Sequence, residues 1–168
     1  MPVTIFLCGD VMTGRGIDQI LPHPVDPILY EPSIRDARAY VRLAEEQAGR
    51  IAAPVAFDYI WGEALEVLER VRPAARLINL ETSVTTSRDY WEGKGIHYRM
   101  HPANLRCLTS AGIDCCSLAN NHALDRGYAG LLETLRTLEG AGINAVGGHA
   151  AIYGAGPHRR PAARPHRQ

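Results

Sequence analysis

The chain has 168 residues, enough for one domain with a buried core, and its 46% hydrophobic and 21% charged residues are typical of an ordinary soluble protein. Basic and acidic residues balance at 18 each, and four of the arginines fall in the last 15 residues, where no acidic residue offsets them. The rest of the chain is therefore mildly acidic, which argues against a nucleic-acid-binding surface.

Four short apolar runs predict buried strands, and helical patterns separate them. The predicted strands are residues 3–8, 76–80, 114–119 and 144–146. The predicted helices are residues 33–48, 59–71, 102–112 and 128–141. Strands that alternate with helices predict an α/β fold with a mostly parallel sheet flanked by helices.

Two long connections and a biased C-terminal segment complete the chain. Residues 21–32 contain four prolines, which exclude regular structure, and residues 82–101 mix aromatic and charged side chains with two glycines. Loops of this length are usually functional or disordered. The final residues, 151–168, are predicted to form a disordered basic tail after a domain of residues 1–150, because their composition offers too little apolar surface to bury.

Neither a targeting segment nor a cysteine site is evident in the sequence. The N-terminus lacks the basic start and long apolar run of a secretory signal, and no stretch approaches the ~20 apolar residues of a membrane span. The four cysteines include no C-x-x-C pair, which argues against a zinc-thiolate site and favours reduced core residues. We therefore expect a cytoplasmic protein.

Polar side chains follow three of the predicted strands, where the strands end. Asp10 follows the first strand, Glu81 the second, and Asn121, His122 and Asp125 the third. Ligands of open parallel sheets bind outside the carboxyl ends of the strands, so these groups are expected to converge. Carboxylate, amide and imidazole groups suit Mn, Fe, Zn or Mg. We predict that Asp10, Glu81, Asn121 and His122 bind a divalent cation and that Asp125 orients His122.

Two arginines are candidates for binding an anionic substrate. Arg15 follows the first polar cluster, and Arg99 lies at the end of the second long connection. A guanidinium group donates a pair of hydrogen bonds that matches a carboxylate or a phosphate.

Four segments of this sequence resemble a known family. They are "GDVMTGRG", "INLETSVT", "YRMHPANLRCLTSAGID" and "LANNHALDRGYAGLLETLRTLEGAGI". Residues 4–148 resemble the CapA family of bacterial capsule (poly-γ-glutamate) synthesis proteins, whose fold is similar to that of calcineurin-like metallophosphoesterases. The resemblance matches Asp10, Glu81 and the Asn121–His122 pair to motif positions. It also implies a partial fold, since the family's later histidine motifs are absent and the chain looks truncated at its C-terminus.

The resemblance implies a role in capsule biosynthesis or export, with a candidate metal-assisted hydrolase site in which His122 donates a proton or stabilises charge, supported by Asp125. Expected partners are an anionic polymer or a phosphoester, and family members are often membrane-associated. Two alternatives stay open: a non-catalytic module that binds an anionic polymer, and an inactive fragment. With so few ligands, we expect weak binding of one ion at most.

A truncated fold has a physical consequence for the sheet. The related fold packs two sheets against each other, and this chain supplies strands for about one. We therefore predict an exposed, apolar sheet face and self-association of the chain.

Overall fold

A computed structural model describes residues 2–148, so the predicted tail at 151–168 lies outside the described residues. The strands are β1 (Ile5–Val11), β2 (Ala75–Leu80), β3 (Ser83–Val84), β4 (Arg99–Met100), β5 (Cys115–Ser117) and β6 (Asn144–Val146). The helices are α1 (Arg15–Ile20), α2 (Arg38–Ala48), α3 (Ala64–Val71), α4 (Arg106–Thr109) and α5 (Gly127–Gly140), with 3-10 turns at Tyr59–Trp61 and Pro102–Leu105.

The principal sheet has four strands in the order β1-β2-β5-β6, and every neighbouring pair is parallel. Strands β3 and β4 form a separate parallel ladder of two strands. The predicted α/β class with a mostly parallel sheet and helices is confirmed. All four strands predicted from the sequence belong to this sheet, although the third is only three residues long.

One face of the sheet carries the core. Ile78 and Leu80 of β2 and Cys116 of β5 are buried there with Leu108 of α4 and Leu138 of α5. Each fully buried aliphatic side chain of this kind stabilises the fold by about 1.5–3 kcal/mol. Burial also raises the pKa of the Cys116 thiol to about 12, so this cysteine is a reduced core residue and not a thiolate ligand.

The opposite face of the sheet is apolar and exposed, as the sequence predicted. Ile5 and Leu7 of β1 are 53% and 72% exposed, and Val146 of β6 is 51% exposed. Leu77 pairs in register with Leu7 on one side and with Cys115 on the other, and both Leu77 and Cys115 are half-buried. We call these five residues the open face. Their exposure matches the prediction, whereas self-association stays a prediction.

Several element boundaries differ from the predicted ones for local reasons. The helix predicted to start at residue 33 begins at Arg38, because residues 28 and 36 form an antiparallel bridge and the Asp36 carboxylate accepts the Arg38 backbone N–H (2.8 Å). The helix predicted over residues 59–71 is divided at Gly62, whose φ of +49° interrupts helical geometry. Helix α1 lies where no element was predicted.

The long connection at residues 82–101 is ordered by its own ends. Val84 pairs with Met100, and both side chains are fully buried. The residues between β3 and β4 therefore form a loop whose two ends lie side by side. Within residues 2–148, no helix combines the length and the apolar character needed to cross a membrane.

Candidate functional site

A chain of amide groups links the carboxyl ends of three strands. A bulge between Cys8 and Asp10 places Asp10 opposite Asn79 of β2, and the Asn79 Nδ2 donates to Asp10 Oδ1 at 2.5 Å. The Asn120 Nδ2 in turn donates to Asn79 Oδ1 at 2.9 Å. The structure thus adds Asn79 and Asn120 to the predicted residues. Their position at strand ends was the only sequence signal for them.

The same network fixes the backbone of His122. The Asn120 Oδ1 accepts the His122 backbone N–H at 3.0 Å, which closes a tight turn after β5. The Ser83 hydroxyl of β3 donates to the His122 carbonyl at 3.1 Å. Because both partners come from strand ends, His122 is held at the sheet edge and is almost fully buried.

The His122 imidazole lies between two carboxylates. Its Nδ1 is 2.7 Å from Asp125 Oδ2, and its Nε2 is 3.4 Å from Glu81 Oε1. Asp125 is completely buried, and its Oδ2 also accepts the backbone N–H of Tyr98 at 2.6 Å. A carboxylate that accepts from Nδ1 holds a proton on that nitrogen, and Nε2 is the nitrogen that faces Glu81.

Two residues of the 82–101 connection complete the surroundings of the histidine. The Lys94 ammonium group contacts Asp125 Oδ1 and the carbonyl oxygen of Asn121, and it lies 3.4 Å from His122 Nδ1. The Tyr98 ring stacks on the imidazole with centroids 4.1 Å apart. Neither Lys94 nor Tyr98 was predicted from the sequence. The unusual length of this connection pointed to function, but it did not indicate which side chains reach the site.

The predicted metal ligands are brought together only in part. Glu81 and His122 are adjacent and have the oxygen and nitrogen donors that Mn, Fe or Zn accept. Asp10 instead accepts a hydrogen bond from Asn79, and Asn121 is exposed. In the described part of the chain, no three His, Cys, Asp or Glu side chains are grouped to hold a metal ion. The donor atoms of Glu81 and His122 are therefore of the right type for a cation, but too few donors are grouped to complete a metal site.

Arg15 lies against the Tyr98 ring that stacks on His122. Its guanidinium carbon lies 4.7 Å from the centre of the Tyr98 ring and 4.8 Å from that of Tyr40, and its Nε donates to Glu31 at 2.7 Å. Gly14 allows this approach, since a Cβ there would lie 3.0 Å from the Arg99 backbone nitrogen.

Arg99, the second predicted anion-binding residue, is buried and makes no direct contact with His122. Its guanidinium donates to the carbonyl oxygens of Ser87 (2.9 Å) and Asp26 (3.1 Å). The two predicted arginines therefore lie in different surroundings.

Comparison with known proteins identifies the family. Residues 4–163 match the family described as "Bacterial capsule synthesis protein PGA_cap". Two relatives are named as probable polyglutamine synthesis accessory proteins of Mycobacterium tuberculosis, from strains CDC 1551 and H37Rv. Each is 52% identical over 153 residues, which cover 91% of this chain and 40% of the relative. The chain thus spans about 40% of the length of these relatives. By the family match, the chain belongs to the PGA_cap family of bacterial capsule synthesis proteins, which have a metallophosphoesterase-like fold.

Proposed function

We propose that this chain acts as an accessory protein in the synthesis of a polyglutamate-type capsule polymer and that its site performs hydrolysis. The family match and the names of the two relatives support the pathway. The hydrolytic chemistry rests on one observation, which is that His122 is oriented between Asp125 and Glu81.

The orientation of His122 suits proton transfer. Asp125 accepts from Nδ1–H and stabilises the imidazolium that forms when Nε2 takes a proton. The backbone N–H of Tyr98 fixes the Asp125 carboxylate, and the Tyr98 ring stacks on the imidazole, so both restrict rotation of the imidazole. Nε2 is therefore the atom that accepts a proton from a water nucleophile or donates one to a leaving group.

Charges around the site favour an anionic substrate. Lys94 pairs with the buried Asp125, so the Asp125 carboxylate adds little net negative charge next to the imidazole. Arg15 lies beyond Tyr98, and its ion pair with Glu31 is made through Nε. We expect the terminal nitrogens of its guanidinium to receive a phosphate or carboxylate.

A divalent cation held by Glu81 and His122, with Asp10 and Asn121 as the further predicted ligands, would polarise the scissile group and lower the pKa of water. A chain with two adjacent donors holds such an ion weakly. Calorimetric titration with Mn²⁺ is expected to give one weak binding event, and tight binding of two equivalents would contradict this expectation.

The test of hydrolysis compares two histidine variants of the purified chain. Bis-p-nitrophenyl phosphate is the substrate, with Mn²⁺ or Zn²⁺ added, and product is followed by absorbance. We expect His122→Ala to lower turnover by about 10²-fold or more, the usual contribution of a general acid or base. His23→Ala, which alters an exposed histidine outside the site, is the control. Equal turnover in both variants would refute the role of His122.

A non-catalytic binding module is the second candidate, and the small number of adjacent metal donors favours it. In that case the chain binds poly-γ-glutamate without turnover, and binding persists in EDTA if arginines alone hold the polymer. Co-sedimentation with the polymer, with and without EDTA, separates the two functions. An absence of both binding and turnover would instead support the inactive fragment.

A further inference from the structure

The start of helix α1 places an arginine between two tyrosine rings. The guanidinium carbon of Arg15 lies 4.8 Å from the centre of the Tyr40 ring and 4.7 Å from that of the Tyr98 ring. The Tyr98 ring also stacks on the His122 imidazole, with centres 4.1 Å apart and planes inclined by 22°. We call Tyr40, Arg15, Tyr98 and His122 the aromatic stack. It connects helix α2 to the candidate site through three successive contacts with ring faces.

Two glycines make room for the aromatic stack. A Cβ at Gly14 would lie 3.4 Å from the Cβ of Tyr98 and 3.0 Å from the peptide nitrogen that follows Tyr98. A Cβ at Gly16 would lie 3.0 Å from the Cβ of Tyr40. The glycine on each side of Arg15 therefore lets the backbone approach the residue whose ring contacts the guanidinium. The stack thus gives a reason for the Gly-Arg-Gly sequence at this point of the chain.

The backbone of Arg15 is held in a conformation that side chains rarely adopt. Its φ is +49°, in the left-handed region, although it is the first residue of α1. Arg72 has the same φ, but it caps the C-terminus of α3, where left-handed residues are common. A strained residue elsewhere persists only where its surroundings fix it. The contacts of the Arg15 side chain supply that constraint.

Glu31 fastens the outer end of the aromatic stack. This buried carboxylate accepts the Arg15 Nε–H through Oε1 and the Tyr40 hydroxyl through Oε2, both at 2.7 Å. One carboxylate thus fixes both the guanidinium and the ring that covers it. Burial, together with this hydrogen bond, raises the pKa of Tyr40, so the phenol stays protonated and donates at neutral pH. Glu31 and Asp125 therefore hold the two ends of the stack.

The imidazole of His122 needs a second constraint besides Asp125. A single hydrogen bond at Nδ1 leaves the ring some freedom to turn about that contact, whereas a stacked neighbour fixes the plane of the ring. The Tyr98 ring can do so only if its own plane is fixed, and its hydroxyl group has no hydrogen-bond partner among the described residues. Arg15 contacts the other face of this ring. The planes of the Tyr98 ring and of the imidazole therefore depend on the guanidinium.

We propose that Glu31 and Tyr40 are positioning residues that fix the plane of the His122 imidazole, acting through Arg15 and Tyr98. The geometric part of this proposal does not depend on hydrolysis. Its consequence for turnover rests on the proposed function, in which Nε2 of His122 transfers a proton. The alignment matters for that transfer, because a misplacement of about 1 Å can lower a rate by about 10²-fold.

The first test follows the imidazole by NMR and needs no turnover. A proton over the face of an aromatic ring is shifted upfield, so the ring protons of His122 report on its contact with Tyr98. Their signals are assigned as those lost in His122→Ala. In the 168-residue chain, Tyr40→Leu removes one ring of the stack, and Glu31→Gln removes the charge that holds the guanidinium. We expect each variant to reduce the upfield shift of the His122 signals.

Matched substitutions separate positioning from a general loss of stability. Tyr59→Leu, at a tyrosine that is 52% exposed and lies outside the stack, should leave the His122 signals unchanged. Tyr40→Phe keeps the ring but removes the hydroxyl that donates to Glu31, so its effect should fall between those of the wild type and Tyr40→Leu. Circular dichroism checks the fold of each variant. If Tyr40→Leu does not fold, Glu31→Gln decides the question, since glutamine has nearly the same shape as glutamate.

The second test measures turnover of bis-p-nitrophenyl phosphate in the same variants. We expect Tyr40→Leu and Glu31→Gln to lower kcat about fivefold or more and to change KM by less than about twofold, because a misaligned imidazole affects the reaction and not ground-state binding. A rise in KM with unchanged kcat would assign the stack to substrate binding and would overturn the positioning role.

The outcomes distinguish this proposal from the proposed hydrolysis. A wild-type chain without turnover would refute hydrolysis, and the His122 signals alone would then decide the positioning role. Unchanged His122 signals in both Tyr40→Leu and Glu31→Gln would overturn positioning, even if turnover depends on His122 as proposed.

Discussion

Replacement of Asp125 by asparagine tests whether the buried carboxylate organises the site, and the structure allows an estimate of the effect. Asp125 Oδ2 accepts from Tyr98 N (2.6 Å) and from His122 Nδ1 (2.7 Å), and Oδ1 pairs with Lys94. Each buried hydrogen bond to a charged group contributes about 1.5–3 kcal/mol, whereas the Lys94 pair, with a lysine side chain that is 24% exposed, contributes at most about 1 kcal/mol.

An asparagine keeps one acceptor oxygen, so one of the two buried donors retains a partner. We therefore expect Asp125→Asn to lower the free energy of unfolding by about 2–4 kcal/mol, which is one charged hydrogen bond together with the Lys94 pair. Asp125→Ala leaves both donors without acceptors and should cost about 3–5 kcal/mol. Turnover should fall less in Asp125→Asn than in His122→Ala, because the asparagine still orients the imidazole in part.

The assay is urea unfolding followed by the fluorescence of Trp61 and Trp91. The slope of the transition is compared between variants as a check on two-state behaviour. Asp36→Asn is the matched control, because Asp36 also accepts several hydrogen bonds but from the exposed Arg38, and little change is expected there. If the Asp125→Asn midpoint moves no further than that of the control, the buried carboxylate does not hold the site together.

Three further predictions concern the rest of the fold. Burial acts to raise the pKa of Glu133, but hydrogen bonds from Thr85 and Thr86 outweigh burial, so the pKa is lowered from its usual value of 4.5. Glu133→Gln should therefore lower the free energy of unfolding by about 1 kcal/mol at pH 7. In unfolding measured at a series of pH values, this difference from wild type should disappear as the pH falls below about 4.5 and the carboxylate is protonated. Leu7→Lys on the open face should shift sedimentation towards monomer, whereas Val67→Lys, at an exposed position of α3, should not; equal behaviour would exclude the open face as the contact. Gly130→Ala should lower the thermal midpoint, at a net cost of about 1–3 kcal/mol, because the new Cβ would collide with the Cβ of Arg126. A stabilised variant would show that the helix gains more from alanine than the packing loses.

Features that depend on short stretches of chain were predictable. The strand at residues 144–146 and the helix predicted at 128–141 were placed within a residue or two, because apolar periodicity is a local property. The convergence of polar residues at one sheet edge followed from parallel topology alone. His122, Asp125 and Glu81 are the clearest case, since the structure places the His122 imidazole in contact with both carboxylates.

Features that depend on distant contacts were not predictable from one sequence. Lys94 reaches Asp125 across 31 positions, and no local pattern marks a lysine whose partner lies that far away. Arg126 could equally have been a solvent-exposed arginine at the start of a helix. Only the packing of the 82–101 connection shows that Arg126 is buried beside Arg99.

Tyr98 joins His122 to Arg15 by physical contact. Its backbone N–H donates to Asp125, its ring stacks on His122, and the same ring lies 4.7 Å from the guanidinium carbon of Arg15. Tyr98 is the contact that Arg15 and His122 share, since its ring lies between the guanidinium and the imidazole. We therefore expect a substitution at Arg15 to affect the position of His122 through the Tyr98 ring, without direct contact between the two residues.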